Sequence, residues 1–212
     1  MSVIKRATDC GIAAVALIVS APLLAASALA IKLEDGGPVL FRQTRLGQYG
    51  RTIRILKLRT MRPNAGDLRN PDGSTYAGGD DPRITRVGRH LRRWSIDELP
   101  QLLNVLFGDL SLVGPRPDLP DQLRLYRPID HRRLRVKPGL TGLAQISGRN
   151  ALTWEQRRNL DLEYVARASS RLDAEIMLRT IPLLVTGHGT TQPAGPVADD
   201  PSRADARRQP WT

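Results

Sequence analysis

From Cys10 to Ile31 the chain reads CGIAAVALIVSAPLLAASALAI, without one charged side chain. About 20 apolar residues are enough to cross a bilayer, so this pattern predicts a membrane helix. Three readings fit its flanks. Lys5 and Arg6 before it and Ala28-Leu29-Ala30 near its end imitate a cleaved leader, but the uncharged stretch outruns the apolar core of roughly 7 to 15 residues found in leaders, and Asp9 interrupts the basic start. A simple spanning helix should leave one flank poor in Lys and Arg. Instead, basic residues recur from Lys32 through Arg45, Lys57 and Arg59 to Arg62. The third reading is re-entrant: a helix that enters the bilayer, breaks at Pro22 and returns places both basic flanks on one face, because proline removes a backbone donor and clashes with the preceding turn. Spanning helices tolerate proline, so the segment alone leaves a kinked span and a re-entrant helix both open.

The pattern changes character after Asp35-Gly36-Gly37-Pro38. The apolar run Val39-Leu40-Phe41 and the β-branched stretch Thr52-Ile53-Arg54-Ile55 flank Gly47-Gln48-Tyr49-Gly50, which predicts a hairpin. Asn64 to Pro82 is rich in Gly, Asp, Asn and Pro and has no period, so it reads as a long loop, of a length that is usually a functional lid or disordered. Helical spacing follows over Thr85–Arg93, Glu98–Phe107, Pro120–Tyr126 and Thr153–Ala168. The last opens on the capping box Thr153-Trp154-Glu155-Gln156. Ala174 to Val185 is a further apolar stretch for the core or the membrane surface. From Gly187 onward the chain is polar and punctuated by prolines, which predicts a disordered tail. The expected organisation is therefore a membrane segment over 1–34, an α+β, mainly helical domain over 35–186, and a tail over 187–212.

Charge narrows the list of partners. Lys and Arg number 32 against 21 Asp and Glu, a net charge of +11. Such an excess concentrates an anion: nucleic acid, an anionic membrane or a phosphorylated substrate. Aromatic residues make up only 4% of the chain, which weakens single-strand nucleic-acid binding, since that depends on stacking. One cysteine, Cys10, excludes an internal disulfide framework, and three scattered histidines give zinc chemistry little support.

Candidate chemistry centres on Ser95-Ile96-Asp97-Glu98-Leu99-Pro100-Gln101. With Asp97 as the N-cap, Pro100 falls at the third helical position, where its missing N–H has no intrahelical partner. Most Asp-Glu pairs so placed simply cap a helix and complement its dipole. The chemical alternative uses the same position: Asp97 attacks a phosphorus to form an acyl phosphate, and Glu98 holds Mg²⁺ against phosphate oxygens. Arg116 sits in Gly114-Pro115-Arg116-Pro117, where two prolines restrict the backbone and present the guanidinium for bidentate phosphate contact. Lys57 and Arg59 alternate on one strand face. Pro138-Gly139-Leu140-Thr141-Gly142, then Gln145 and Gly148-Arg149-Asn150, form a glycine-punctuated run whose backbone can approach an anion. Asp161 lies four residues from Arg157 on one helix face and can pair with it.

In this order, the motifs resemble the bacterial sugar transferases, the small monotopic phosphoglycosyl transferases, over roughly Lys5 to Asp173. The resemblance is carried by Lys5-Arg6 with Asp9 and Pro22, Gly37-Pro38-Val39 with Phe41, Gln43, Arg45 and Gly47, and Lys57-Leu58-Arg59-Thr60-Met61. It continues through Asp97-Glu98-Leu99-Pro100-Gln101-Leu102, Asn104 to Asp109, Ser111 to Pro117, Pro138 to Asn150, and Asp161 with Tyr164-Val165. It implies a monotopic membrane protein with a re-entrant helix-break-helix and a small catalytic domain on the cytoplasmic face of the inner membrane. It also implies the reaction: transfer of a sugar 1-phosphate from a UDP-sugar to polyprenyl phosphate with Mg²⁺, through a covalent phosphosugar on Asp97 and release of UMP. By the same resemblance Glu98 holds the metal, Arg116, Lys57 and Arg59 contact phosphates, and Gln145, Arg149 and Asp161 shape the substrate site. Partners are then the UDP-sugar, polyprenyl phosphate and the lipid bilayer. No nucleic acid is expected, and a homo-oligomer is left open. Two positions depart from the family pattern: Ala21 precedes Pro22 where serine is common, Ser20 standing one residue earlier, and Leu58 replaces a frequent aromatic. The short stretch before the membrane segment implies a member without the multi-span N-terminal domain of longer relatives. Two competitors remain, a non-catalytic basic lipid- or nucleic-acid-binding protein on a membrane anchor and a secreted protein with a cleaved leader.

Overall fold

The computed structural model describes residues 3–70, 73, 75–76, 78, 81–148 and 151–186; for residue 185 it describes the backbone only. Arg149 and the expected tail over 187–212 lie outside the described residues. Helices α1 (Val3–Asp35), α2 (Arg86–Arg93), α3 (Gln101–Phe107), α4 (Leu143–Ser147), α5 (Trp154–Arg167) and α6 (Ser170–Thr186) surround two small sheets, an α+β, mainly helical fold.

The hairpin forms as expected. β1 (Leu40–Leu46) pairs antiparallel with β2 (Thr52–Leu58) in a register running from Leu40↔Leu58 to Leu46↔Thr52. Ile53 and Ile55 are buried while Thr52 and Arg54 between them are exposed, the period-2 signature of a half-buried strand. The second sheet was not legible in the sequence. β3 (Ser111–Val113) and β4 (Gly139–Thr141) are parallel, three residues each. Strands so short carry no alternation to read. They approach closely because of glycine: a Cβ on Gly139 would stand 2.1 Å from Gly114 N, and one on Gly142 would stand 2.2 Å from Gly114 O.

One core holds these parts together. Ala13 of α1, Ile53 and Ile55 of β2, Leu102 and Val105 of α3, Leu112 and Val113 of β3, Tyr164 of α5 and Ile176 of α6 form a contiguous buried cluster. A smaller cluster joins Ile31 of α1 to Leu58 and Leu91. Asn104 locks α3 to the hairpin: its Oδ1 accepts from Leu56 N at 2.9 Å and its Nδ2 donates to Arg54 O at 2.8 Å.

Helical structure runs through Pro22, the position expected as the break. α1 is a single helix of 33 residues with Pro22 inside it, because proline deletes one hydrogen bond, a local loss that the turns on either side survive. Both ends of α1 dock on the same domain. At the start, Lys5 pairs with Asp173, Arg6 donates to the carbonyls of Val105 and Leu106, and buried Asp9 accepts from Ser111 Oγ at 2.7 Å. At the finish, Glu34 Oε1 accepts from Arg86 N at 2.8 Å and Asp35 pairs with Arg59. Between them Ile18 and Val19 stand 74% exposed, and Ala21, Pro22 and Leu23 are exposed too.

Two 3-10 helices differ from the expectation. Pro120–Leu125 is a 3-10 helix rather than an α-helix. A second 3-10 helix, Pro128–Arg135, was not anticipated. α5 keeps its capping box, with Gln156 N donating to Thr153 Oγ1 and Thr153 N donating to Gln156 Oε1.

Candidate active site

Asp97 and Glu98 belong to a 3-10 turn, Ile96–Glu98, that joins α2 to α3. Asp97 is not the N-cap of the following helix. Pro100 occupies that position and the first α-helical residue is Gln101, since a proline ring limits the backbone ahead of it and gives the turn no N–H. Ser95, just upstream, is left-handed at φ 54° and ψ 23°, a conformation that costs an L side chain energy and is found where a turn must aim its neighbours.

The two carboxylates face different surroundings. Glu98 Oε1 accepts from Lys57 Nζ at 2.9 Å and from Arg116 Nη2 at 2.7 Å. Burial pushes its carboxyl up, but the Arg116 guanidinium and the Lys57 ammonium outweigh that and hold it well below the usual range. Asp97 is 7% exposed and accepts no hydrogen bond among the described residues. Burial drives its pKa up to about 6 against the pull of Lys57, with the Glu98 charge adding to the rise and Arg92 and Arg116 opposing it. Asp97 thus holds its proton more tightly than an ordinary aspartate while lying close to three cations, with no hydrogen bond to it among the described residues. Lys57 itself is pushed down by burial, partly offset by Glu98.

Four of the eight expected site residues, Asp97, Glu98, Lys57 and Arg116, converge here. Lys57 arrives from the end of β2, and Arg116 from the loop after β3, where its side chain is 42% exposed. Gln145 lies on α4, just past β4; its Oε1 and Nε2 are shielded from solvent and find no partner among the described residues. Because β3 and β4 are parallel, the Arg116 loop and the Gln145 segment leave from the same edge, the C-terminal ends where open parallel sheets place their ligands.

Two expectations do not hold geometrically. Arg59 is turned away from the carboxylates: its guanidinium forks onto both oxygens of Asp35 and also donates to the carbonyls of Pro38 and Met61. β2 ends at Leu58, so the alternation that would have kept Arg59 beside Lys57 lapses one residue too early. Asp161, 1% exposed on α5, is held by Arg133, from which Oδ2 accepts twice, while Oδ1 has no hydrogen-bond partner among the described residues.

Four contributors were not singled out from the sequence. Arg92 of α2 acts on Asp97 while its Nε donates to Thr60 Oγ1 at 2.9 Å. Arg45 of β1 donates to Pro117 O at 3.1 Å, and burial together with neighbouring Arg116 lowers its pKa to about 10. Arg133 holds the loop that carries Arg116, and Asn104 ties α3, the helix that follows the Asp97-Glu98 turn, to the hairpin. In a chain this rich in arginine, spacing does not separate these from solvated neighbours; burial does.

Among the described residues no group of three or more His, Cys, Asp or Glu side chains gathers as a metal site. Asp97 and Glu98 still suit Mg²⁺, which binds through one or two carboxylates and completes its shell with water and substrate phosphate. Glu98 retains Oε2 for this, since both hydrogen bonds fall on Oε1.

The chain is similar to known proteins over most of its length. The family model described as Bacterial sugar transferase matches residues 1–187. The UDP-glucose:undecaprenyl-phosphate glucose-1-phosphate transferase of Caulobacter vibrioides is 49% identical over 190 residues, covering 86% of this chain and 70% of that protein. EpsL of Bacillus subtilis, named an uncharacterized sugar transferase, is 43% identical and covers 90% of this chain and 91% of that protein. The exopolysaccharide production protein ExoY of Rhizobium meliloti is 40% identical over 88% of this chain and 87% of that protein.

Proposed function

The chain belongs to the bacterial sugar transferase family and is a transferase, and from that premise we propose that it moves a sugar 1-phosphate from a UDP-sugar to polyprenyl phosphate, releasing UMP. The observation that carries the reaction is Asp97: a buried carboxyl group without a hydrogen-bond partner among the described residues and in the field of Lys57, Arg92 and Arg116. An oxygen of Asp97 attacks the sugar-linked phosphorus. The bond from that phosphorus to the bridging oxygen breaks, and UMP leaves with the oxygen and its electrons. A phosphate oxygen of the polyprenyl phosphate then attacks the same phosphorus, the acyl phosphate bond breaks, and Asp97 regains its carboxylate. Arg116 forks onto phosphate oxygens, Lys57 neutralises the growing charge, and the Gln145 amide is available to the donor. Arg149 belongs to the proposed substrate contacts by its motif. Glu98 would hold Mg²⁺, with Asp97 nearby, and the ion supplies electrostatic stabilisation of phosphate oxygens.

The membrane reading is monotopic. A straight helix of 33 residues would be about 50 Å long, enough to put its two ends on opposite sides of a bilayer core of about 30 Å. Docking of both ends on one domain supports insertion from a single face, the inner membrane's cytoplasmic side, with Pro22 marking where a bend is cheapest. Cysteine labels near the N-terminus and at Gly73 should both react from the cytoplasm; labelling from opposite sides would overturn this topology.

The reaction is tested by incubating the detergent-solubilised protein with a panel of UDP-sugars, polyprenyl phosphate and Mg²⁺ and scoring UMP. At least one sugar should release UMP, and omission of Mg²⁺ should suppress it. Silence across the panel, with folded protein, would overturn the proposal.

A further inference from the structure

The loop that presents Arg116 contains two prolines and makes no regular secondary structure, yet four consecutive carbonyls in it are each held from another element. Pro115 O accepts from Gly139 N at 2.9 Å, Arg116 O from Arg133 Nη2 at 3.3 Å, Pro117 O from Arg45 Nη1 at 3.1 Å, and Asp118 O from Leu46 N at 2.8 Å. The contact at Arg116 itself comes from a side chain 4% exposed.

Arg133 uses its whole guanidinium for this. Nε and one Nη2 proton go to Asp161 Oδ2, at 3.1 and 2.6 Å; Nη1 donates to Asp118 Oδ2 and to Tyr126 OH; and the remaining Nη2 proton goes to the Arg116 carbonyl. Tyr126 in turn donates to Asp118 at 2.7 Å. A guanidinium has five N–H groups in a rigid fork, and here each has an acceptor. Lysine, with three donors on a flexible stem, cannot reproduce the set.

We infer that Arg133 is a positioning residue: clamped between Asp161 of α5 and Asp118, it holds the Arg116 backbone and so aims the Arg116 guanidinium at the substrate phosphates. Asp161 then acts on the reaction through Arg133 and not by touching substrate, which accounts for its burial. The inference rests on the phosphate-binding role assigned to Arg116 above.

A double-mutant cycle tests it, because two residues acting through one contact lose less together than the product of their separate losses. UDP binding by calorimetry and UMP release are measured for wild type, Arg116→Ala, Arg133→Lys and the double variant, each corrected for its folded fraction by thermal unfolding. We expect Arg116→Ala and Arg133→Lys each to weaken UDP binding about 10-fold or more, and Arg133→Lys to change it less than about 2-fold once Arg116 is gone. Losses that multiply, or full UDP affinity in folded Arg133→Lys, would overturn the inference. If Arg133→Lys does not fold, Tyr126→Phe replaces it in the same cycle: it removes one acceptor and leaves the arginine in place, with about a 3-fold loss expected only while Arg116 is present. A wild type that binds UDP with the coupled pattern but releases no UMP overturns the transfer reaction and leaves the inference standing; turnover with multiplying losses does the reverse.

Discussion

Asp97 and Asp130 are both almost sealed from water, at 7% and 0% exposure, and their carboxyls shift in opposite directions. Asp130 is enclosed by donors: Arg127 N, Nε and Nη2 and Arg158 Nη1 all lie within 3.3 Å, and although burial raises its pKa, those partners bring it below the ordinary value. Asp97 has cations nearby but no hydrogen bond among the described residues, and burial prevails. One carboxylate joins the 3-10 helix Pro128–Arg135 to α5. The other is the carboxylate that, in the proposed reaction, attacks phosphorus. In this pair of carboxylates the number of hydrogen-bond donors, and not burial alone, goes with the direction of the shift.

The sharpest way to break that contrast is Asp97→Asn. It should abolish UMP release and the trapping of labelled phosphosugar on the protein, a loss of about 10³-fold or more. It should also raise thermal stability, by roughly 1 to 3 kcal/mol, because a buried charge with a raised pKa is removed. The sign is fixed by linkage: the folded state holds the Asp97 proton more tightly than the unfolded chain, so its ionisation erodes stability as pH rises from about 4 to about 6, the window in which activity appears. Turnover should therefore fall about tenfold per unit below pH 6. An active, unstabilised Asp97→Asn protein would end the comparison.

Asp130→Ala should do the opposite. Stripping one partner from a buried ion cluster costs roughly 3 to 5 kcal/mol of stability, visible as a lower midpoint in urea, while UMP release per folded molecule should hold within about 2-fold. Next in size is Arg116→Lys, expected to lose about 10-fold or more in turnover, on the order of the 1.5 to 3 kcal/mol of a charged hydrogen bond, because an ammonium lacks the planar fork. The smallest effect is that of Arg59→Lys. The fork onto Asp35 disappears, costing about 1 kcal/mol of stability, and activity per folded molecule should stay near normal; a large loss of turnover there would return Arg59 to the phosphate site.

Much of the molecule was legible along the chain because its signals are local. The uncharged run from Cys10 to Ile31, the hairpin around Gly47–Gly50, the Thr153 capping box and the adjacent Asp97 and Glu98 each depend on neighbours within a few residues, where spacing and residue type decide the outcome. Ordered motifs extended that reading to the family, which the matched residues 1–187 bear out. Tertiary structure decided which of many arginines matter and what each carboxylate faces. Lys57 reaches Glu98 across 41 positions and Arg133 reaches Asp161 across 28, and no local pattern distinguishes these cations from their solvated neighbours. It also decided that Arg59 serves Asp35, that α1 passes through Pro22 with both ends on one domain, and that two three-residue strands set the Arg116 and Gln145 segments side by side. The physical reason is the same in each case: pairing and burial are properties of the surroundings that folding assembles, while capping, periodicity and turn chemistry are already present in the local chain.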